Sequence, residues 1–196
     1  MIDFYSQNAD QFAEQYESVD PEKIHGSWSH FIPETKSLIL DVGSGSGRDA
    51  AWLANMGHEV FAVEPAKKLR EKAQALHLLQ NIHWINDTLP LLKKVDNLGF
   101  KFDLILLSAV WMHIAPKNRQ RSFRKLSNLL RPEGRLVITL RHGPINDKRV
   151  MYPVSSKELY SFANRFAMQV LLDTKTEDQL NRSDVSWNTI VIEVAR

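Results

Sequence analysis

The chain has 196 residues, of which 25 are Lys or Arg and 23 are Asp or Glu, leaving a formal net charge of +2. That length sets the expectation of one domain, and a composition of 43% hydrophobic and 24% charged residues excludes a disordered or fibrous chain. With no cysteine there is no disulfide framework, no thiolate-held zinc or iron–sulfur cluster and no thiol nucleophile.

Taken in chain order, Met1-Ile2-Asp3-Phe4-Tyr5 shows neither a basic nor an apolar leader region, so no signal peptide is expected. The residues up to 36 have aromatic and helical character (Tyr5, Phe12, Tyr16, Trp28, Phe31) but are too few for a second domain, and they predict a helical cap or lid. Ser37–Val42 predicts a buried strand ending in a glycine cluster, and Gly47–Met56 a helix with Gly57 as its left-handed stop. Glu59–Val63 predicts the second strand, and Pro65 the first turn of a helix reaching about Leu79.

Ile82–Ile85 and Phe102–Leu107 predict the third and fourth strands, and Lys117–Leu130 a helix with Phe123, Leu126, Leu129 and Leu130 on one face. Arg135–Leu140 predicts a fifth strand, and Ser155-x-x-Glu158 is a capping box ahead of a helix presenting Leu159, Phe162, Ala163 and Phe166. Met168–Leu172 and Ser186–Val194 have no helix between them and predict an antiparallel hairpin at one sheet edge. The apolar stretch 104–115 is broken by Ser108 and His113 and is too short to cross a bilayer, so a soluble, cytoplasmic protein with no membrane partner is expected. Alternating β and α units of this kind make an α/β fold, a mostly parallel sheet with helices on both faces.

The run Asp41-Val42-Gly43-Ser44-Gly45-Ser46-Gly47 joins the first strand to the first core helix. Glycines at alternate positions permit positive φ and let a ligand approach the backbone, and the following helix N-terminus favours an anionic group. A dinucleotide fingerprint would need glycine at position 48, which is Arg48, and no Lys-Ser or Lys-Thr follows to make a phosphate loop. Glu64, closing the second strand, suits a ribose diol, since a carboxylate accepts two hydrogen bonds from neighbouring hydroxyls. The same residue can instead cap the next helix, and Asp87 can be an N-cap or turn residue.

These features in this order resemble those of a class I S-adenosylmethionine-dependent methyltransferase, over roughly residues 37–140. The resemblance implies a Rossmann-like three-layer α/β/α sandwich, with seven strands and an antiparallel C-terminal strand. It implies a division into a cap (1–36), a cofactor-binding core (37–140) and a substrate-side loop, helix and hairpin (141–196). It assigns Asp41, Gly43, Gly45 and Gly47 to the methionine end of S-adenosylmethionine, Glu64 to the ribose, and Asp87 with Thr88 to the adenine. Ser108 then lies beside the transferable methyl.

For the acceptor, the residues leave several readings open. The amine-methylating run Asn/Asp-Pro-Pro-Tyr/Phe is absent after the fourth strand, and cytosine C5 methylation needs a cysteine, so DNA is not expected. His113 and Tyr5 are the candidate catalytic side chains, while Trp111, Arg141 and His142 are candidates for binding substrate. No histidine spacing suggests a metal site. The run 117–135 carries seven basic residues against Glu133 and is either an RNA footprint or the solvated face of a helix. A small-molecule acceptor methylated at oxygen or nitrogen is the favoured reading. An RNA or protein acceptor, and a non-catalytic module that binds the cofactor for a partner, are the alternatives.

Overall fold

The computed structural model describes residues 2–145, 148–180 and 182–195. Three short helices come first, α1 (Ile2–Gln7), α2 (Ala9–Glu17) and α3 (Pro21–His25). The core then alternates β1 (Leu38–Val42), α4 (Arg48–Asn55), β2 (Glu59–Val63), α5 (Lys67–Leu76), β3 (Ile82–Ile85), α6 (Lys93–Asp96), β4 (Phe102–Leu107), α7 (Pro116–Leu129) and β5 (Leu130–His142). It closes with α8 (Ser156–Arg165), β6 (Met168–Glu177) and β7 (Ser186–Val194).

The seven strands form one sheet in the order β3-β2-β1-β4-β5-β7-β6. β1 pairs in parallel with β2 and β4, and only β7 runs antiparallel, to both β5 and β6. The order reverses between β1 and β4, so the crossovers leave β1 in opposite directions and open a crevice at the strand C-termini.

Strand periodicity divides the core into two layers. Leu40, Ile105 and Leu107 face Phe123 and Leu126 of α7 and Leu159 of α8, while Ile39, Leu104 and Leu106 face Ala50 and Leu53 of α4 together with Trp28. Both faces of the central strands are thus covered, which is why they read as continuous apolar runs. α1 and α2 lie instead against α5, through Phe12 and Ala13 on Ala66 and Leu69.

Several boundaries differ from the expectations. α5 begins at Lys67 and not at Pro65, because the Glu64 carboxylate takes the Ala66 N–H and holds the chain extended for two more residues. It ends at Leu76, where His77 turns to an extended backbone. β5 starts five residues early, at Leu130, and absorbs Pro132 and Glu133 (φ 61) as an irregularity opposite β4. The capping box is half made. Ser155 Oγ accepts from Lys157 N–H, but Glu158 reaches inward to Trp111 Nε1 and Arg119. Among the described residues no helix is long and apolar enough to cross a membrane.

Candidate active site

A cavity of about 500 Å³ opens at the C-terminal ends of β1, β2, β4 and β5, within the ~300–1,000 Å³ usual for small-ligand sites. The glycine loop forms its floor, Ser108, Ala109, Val110, Met112 and His113 one wall, and Tyr5 and Tyr16 of the N-terminal helices its roof.

The glycine requirement is steric. Gly43 (φ 75) donates its N–H to Val63 O at 2.7 Å, and a Cβ there would lie 2.5 Å from Val110 Cγ2. Gly45 (φ 57) lies under the Tyr16 ring, 3.3 Å from the nearest ring carbon to an added Cβ. Gly47 (φ 87) is the N-cap of α4, where any side chain would meet Trp84 and His77. The loop is therefore wrapped around a fixed course, with backbone bare toward the cavity.

Three buried carboxylates surround this loop. Glu64 accepts from Ala66 N–H at 2.7 Å and from Gly45 N–H at 3.1 Å. Burial still pushes its pKa up to about 7, against those two donors and the Arg70 guanidinium. Asp49, in the first turn of α4, meets His25 Nε2 at 3.0 Å and two nitrogens of Arg48 at 2.8 Å. Burial alone would raise Asp49, but Arg48 and His25 hold it well below the usual carboxylate range. Asp41 makes no such hydrogen bond, and burial, then the charge of Asp49, push its carboxyl far up against the opposing charge of Arg48. Its Oδ2 has no hydrogen-bond partner among the described residues.

The adenine-side expectations lie at the cavity wall. Asp87 and Thr88 both line it, although Asp87 also accepts from the N–H groups of Lys94 (2.6 Å) and Val95 (3.1 Å) at the start of α6. A carboxylate has about four acceptor positions, so capping and ligand contact are compatible. Ser108 lines the cavity.

At the acceptor end His113 and Tyr5 come together, with Tyr5 Oη 3.1 Å from His113 Nε2. His113 Nδ1 lies 3.0 Å from Val150 O. A carbonyl only accepts, so Nδ1 carries hydrogen and, in the neutral ring, Nε2 is left to accept from Tyr5. Arg141 lines the cavity and donates to Gly143 O and Pro144 O.

Two residues expected to bind substrate do not line the cavity. Trp111 is fully buried among Phe123 and Phe162, its Nε1 on Glu158, because the turn after β4 points it into the core and not the cavity. His142 follows Arg141 on β5 and so projects to the opposite face, away from the cavity. The basic run is also more extensively paired than its composition implied. Arg119 is buried on Ile114 O and Glu158, and Lys125, Arg131 and Arg135 pair with Asp96, Asp103 and Glu193.

Residue patterns did not reveal the latch between cap and loop. Arg48, noted only as the residue that breaks a dinucleotide fingerprint, donates to Tyr16 O at 3.0 Å. Ser46 Oγ donates to Glu17 at 2.6 Å, and His77 Nε2 meets the same oxygen at 3.2 Å. The polar residues interleaved with the glycines were the available signal, since such a loop needs none for its turn.

Residues 40–138 match the family described as a methyltransferase domain. A comparison with curated proteins finds no match. Among solved structures, 1,6-didemethyltoxoflavin-N1-methyltransferase from Burkholderia thailandensis, solved with 1,6-didemethyltoxoflavin and S-adenosylhomocysteine, superposes with a TM-score of 0.75 at 15% identity, covering 100% of this chain and 87% of that one. Magnesium protoporphyrin IX methyltransferase from Synechocystis, with bound S-adenosylmethionine, gives 0.69 at 15% identity over 97% and 84% of the two chains. The N-methyltransferase NodS from Bradyrhizobium japonicum gives 0.68 at 12% identity over 89% and 96%.

Proposed function

Because the chain belongs to the methyltransferase-domain family, as a class I enzyme dependent on S-adenosylmethionine, we propose that its acceptor is a small molecule methylated at oxygen or nitrogen. The observation that carries this reading is the roof. α1 and α2 pack on α5 through Phe12, Ala13 and Leu69, and set Tyr5 and Tyr16 over the cavity. A compartment of about 500 Å³ under such a roof suits a metabolite better than a folded RNA or protein.

The residues present fit the cofactor. A bare glycine backbone invites close approach, and the unpartnered Asp41 oxygen calls for a cationic donor. When bound, S-adenosylmethionine supplies a methyl group on a sulfonium, which is electrophilic toward a lone pair placed opposite the sulfur. In this reading Asp41, Gly43, Gly45 and Gly47 line the amino-acid end, Glu64 accepts from the ribose, and Asp87, Thr88 and Ser108 flank the base and the methyl side. His113 Nε2 takes the proton that an acceptor O–H or N–H must lose, with Tyr5 either yielding its place or relaying that proton. Arg141 braces the loop after β5 at the acceptor end. The segments 1–36, 37–140 and 141–196 act together as one domain with these three tasks.

The test is incubation of the protein with fractionated metabolite extract and methyl-labelled S-adenosylmethionine, followed by mass spectrometry. A labelled product of low molecular mass supports the reading. Label found only in RNA or protein overturns it.

A further inference from the structure

Three carboxylates meet at the glycine-loop end of the cavity, and the basic groups beside them are unevenly shared. Asp41 comes from the end of β1, Asp49 from the first turn of α4 and Glu64 from the end of β2, and all three are buried. Facing them from α4 is Arg48, whose Nε and Nη2 are committed to Asp49 and whose Nη1 is committed to Tyr16 O. From α3 comes His25, whose Nδ1 accepts from Trp28 and whose Nε2 faces Asp49. From α5, Arg70 donates through Nη1 to the Glu64 carbonyl, and its charge acts on the Glu64 carboxyl. From α1 and α2 come Tyr5 and Tyr16, near Glu64, and Glu17, which faces Arg48 but is engaged by Ser46 and His77.

None of these donors makes a hydrogen bond to Asp41, although the Arg48 charge acts on its carboxyl and offsets part of the cost of burial. The residue is 1% exposed, lines the cavity, and its Oδ2 has no hydrogen-bond partner among the described residues. An ionised carboxylate in that position, beside two others, is costly, and the side chain relieves the cost by holding a proton. The upward displacement of its pKa has these same causes.

We propose that Asp41 exchanges its proton for the α-ammonium of the entering cofactor, so that capture of S-adenosylmethionine releases a proton to solvent and strengthens as pH rises toward neutrality. The proposal rests on the reading of this cavity as the cofactor site. Of the groups S-adenosylmethionine carries, only the α-ammonium is both cationic and a hydrogen-bond donor; the sulfonium has no N–H, and the ribose and adenine donors are neutral. The exchange balances as Asp41–CO₂H plus R–NH₃⁺ giving the Asp41–CO₂⁻ ··· ⁺H₃N–R pair plus H⁺. A neutral ligand that fills the nucleoside half of the cavity leaves the Asp41 proton in place.

The experiment is titration calorimetry at pH 6.5 in buffers of different ionisation enthalpy, with S-adenosylmethionine, S-adenosylhomocysteine and 5′-methylthioadenosine. The last keeps the nucleoside and thioether but lacks the amino acid. At this pH the free ammonium is already protonated, since an α-amino group titrates at ~7.7–8.0. Both amino-acid ligands are expected to release up to about one proton more than 5′-methylthioadenosine, and Asp41→Asn is expected to abolish that excess. Equal proton counts for the three ligands, or an excess that survives in Asp41→Asn, overturns the proposal. Absence of heat from all three removes the cofactor reading itself, and the proposal with it.

A second measurement needs no variant. The affinity of the unmodified protein for S-adenosylmethionine relative to 5′-methylthioadenosine is expected to fall from pH 7 to pH 5.5, by up to about tenfold per unit. A constant ratio overturns the exchange.

Discussion

Tyr5, in the first helix of the chain, sets its hydroxyl 3.1 Å from Nε2 of His113, which lies 108 residues further on. The contact joins the cap to the wall after β4 and places a proton acceptor inside the cavity with its other nitrogen tied to Val150 O. His113→Ala is expected to lower turnover of a hydroxyl acceptor by about 10²–10⁴-fold. Cofactor affinity, read by calorimetry, stays within about twofold, since His113 lies at the acceptor end. Tyr5→Phe keeps the ring packing on Phe12 and lowers turnover less. Loss of cofactor affinity equal to the loss of turnover would make His113 a structural residue.

Glu64 links the site to stability. Its carboxyl titrates at about 7 in the folded protein and at ~4.3 in an unfolded chain, so the folded state binds more protons between these values. Stability contributed by this group is therefore full below about pH 4 and is lost as pH rises through 7. The span is on the order of 3 kcal/mol for this 6%-exposed residue. Glu64→Gln is expected to flatten the decline in melting temperature between pH 5 and pH 8, with Asp41 supplying the part that remains. The same variant weakens cofactor binding more than tenfold through loss of charge-assisted hydrogen bonds. An unaltered pH profile in Glu64→Gln would contradict this assignment.

Gly47 has a backbone angle that side chains rarely adopt, and an added Cβ would lie 2.5 Å from Trp84 Cη2 and 2.9 Å from His77 Cδ2. Gly47→Ala is expected to cost about 1–3 kcal/mol in urea unfolding. Trp84 fluorescence is expected to change as its ring is displaced, whereas the exposed Gly57, with nothing near its Cβ position, pays only for its positive φ.

Trp111→Phe separates packing from binding. The variant retains contact with Phe123 and Phe162 but leaves Glu158 without its indole partner, for a cost of about 1 kcal/mol. Acceptor KM is expected to stay unchanged, because the side chain does not line the cavity. A raised KM would bring Trp111 back to the site.

The sheet was legible in the sequence because its central strands are buried on both faces, so Leu38–Val42 and Phe102–Leu107 leave no polar alternation to misread. Glycine spacing likewise marked Gly43, Gly45 and Gly47, since left-handed backbone under a crowding side chain tolerates little else. What escaped depends on direction and on distant partners. A run reading Ser-Ala-Val-Trp-Met-His does not say that Val110 and His113 face the cavity while Trp111 turns inward, because a 3₁₀ turn at Trp111–His113 sets that choice. Pro65 signalled a helix start correctly in kind, but a hydrogen bond from Ala66 to Glu64 delayed it. The positive run 117–135 could not disclose that acids from elsewhere in the chain neutralise much of it.

Arg48 shows most directly how such long-range partners build the site. Its fork binds Asp49 with two nitrogens at 2.8 Å, and its third nitrogen holds Tyr16 O, at the end of α2. Lysine keeps the charge but not the fork, so Arg48→Lys is expected to free the Tyr16 carbonyl while His25 continues to face Asp49. The fold therefore survives while the cap loosens. Amide hydrogen exchange is expected to accelerate in residues 9–18, with little change in β1 or β4, and trypsin is expected to cut sooner at Lys23. The unfolding free energy falls by about 1–3 kcal/mol, less than the ~3–5 kcal/mol for leaving a buried charge alone. If exchange rises uniformly across the sheet instead, Arg48 supports the whole core and the latch to the cap is not its main task.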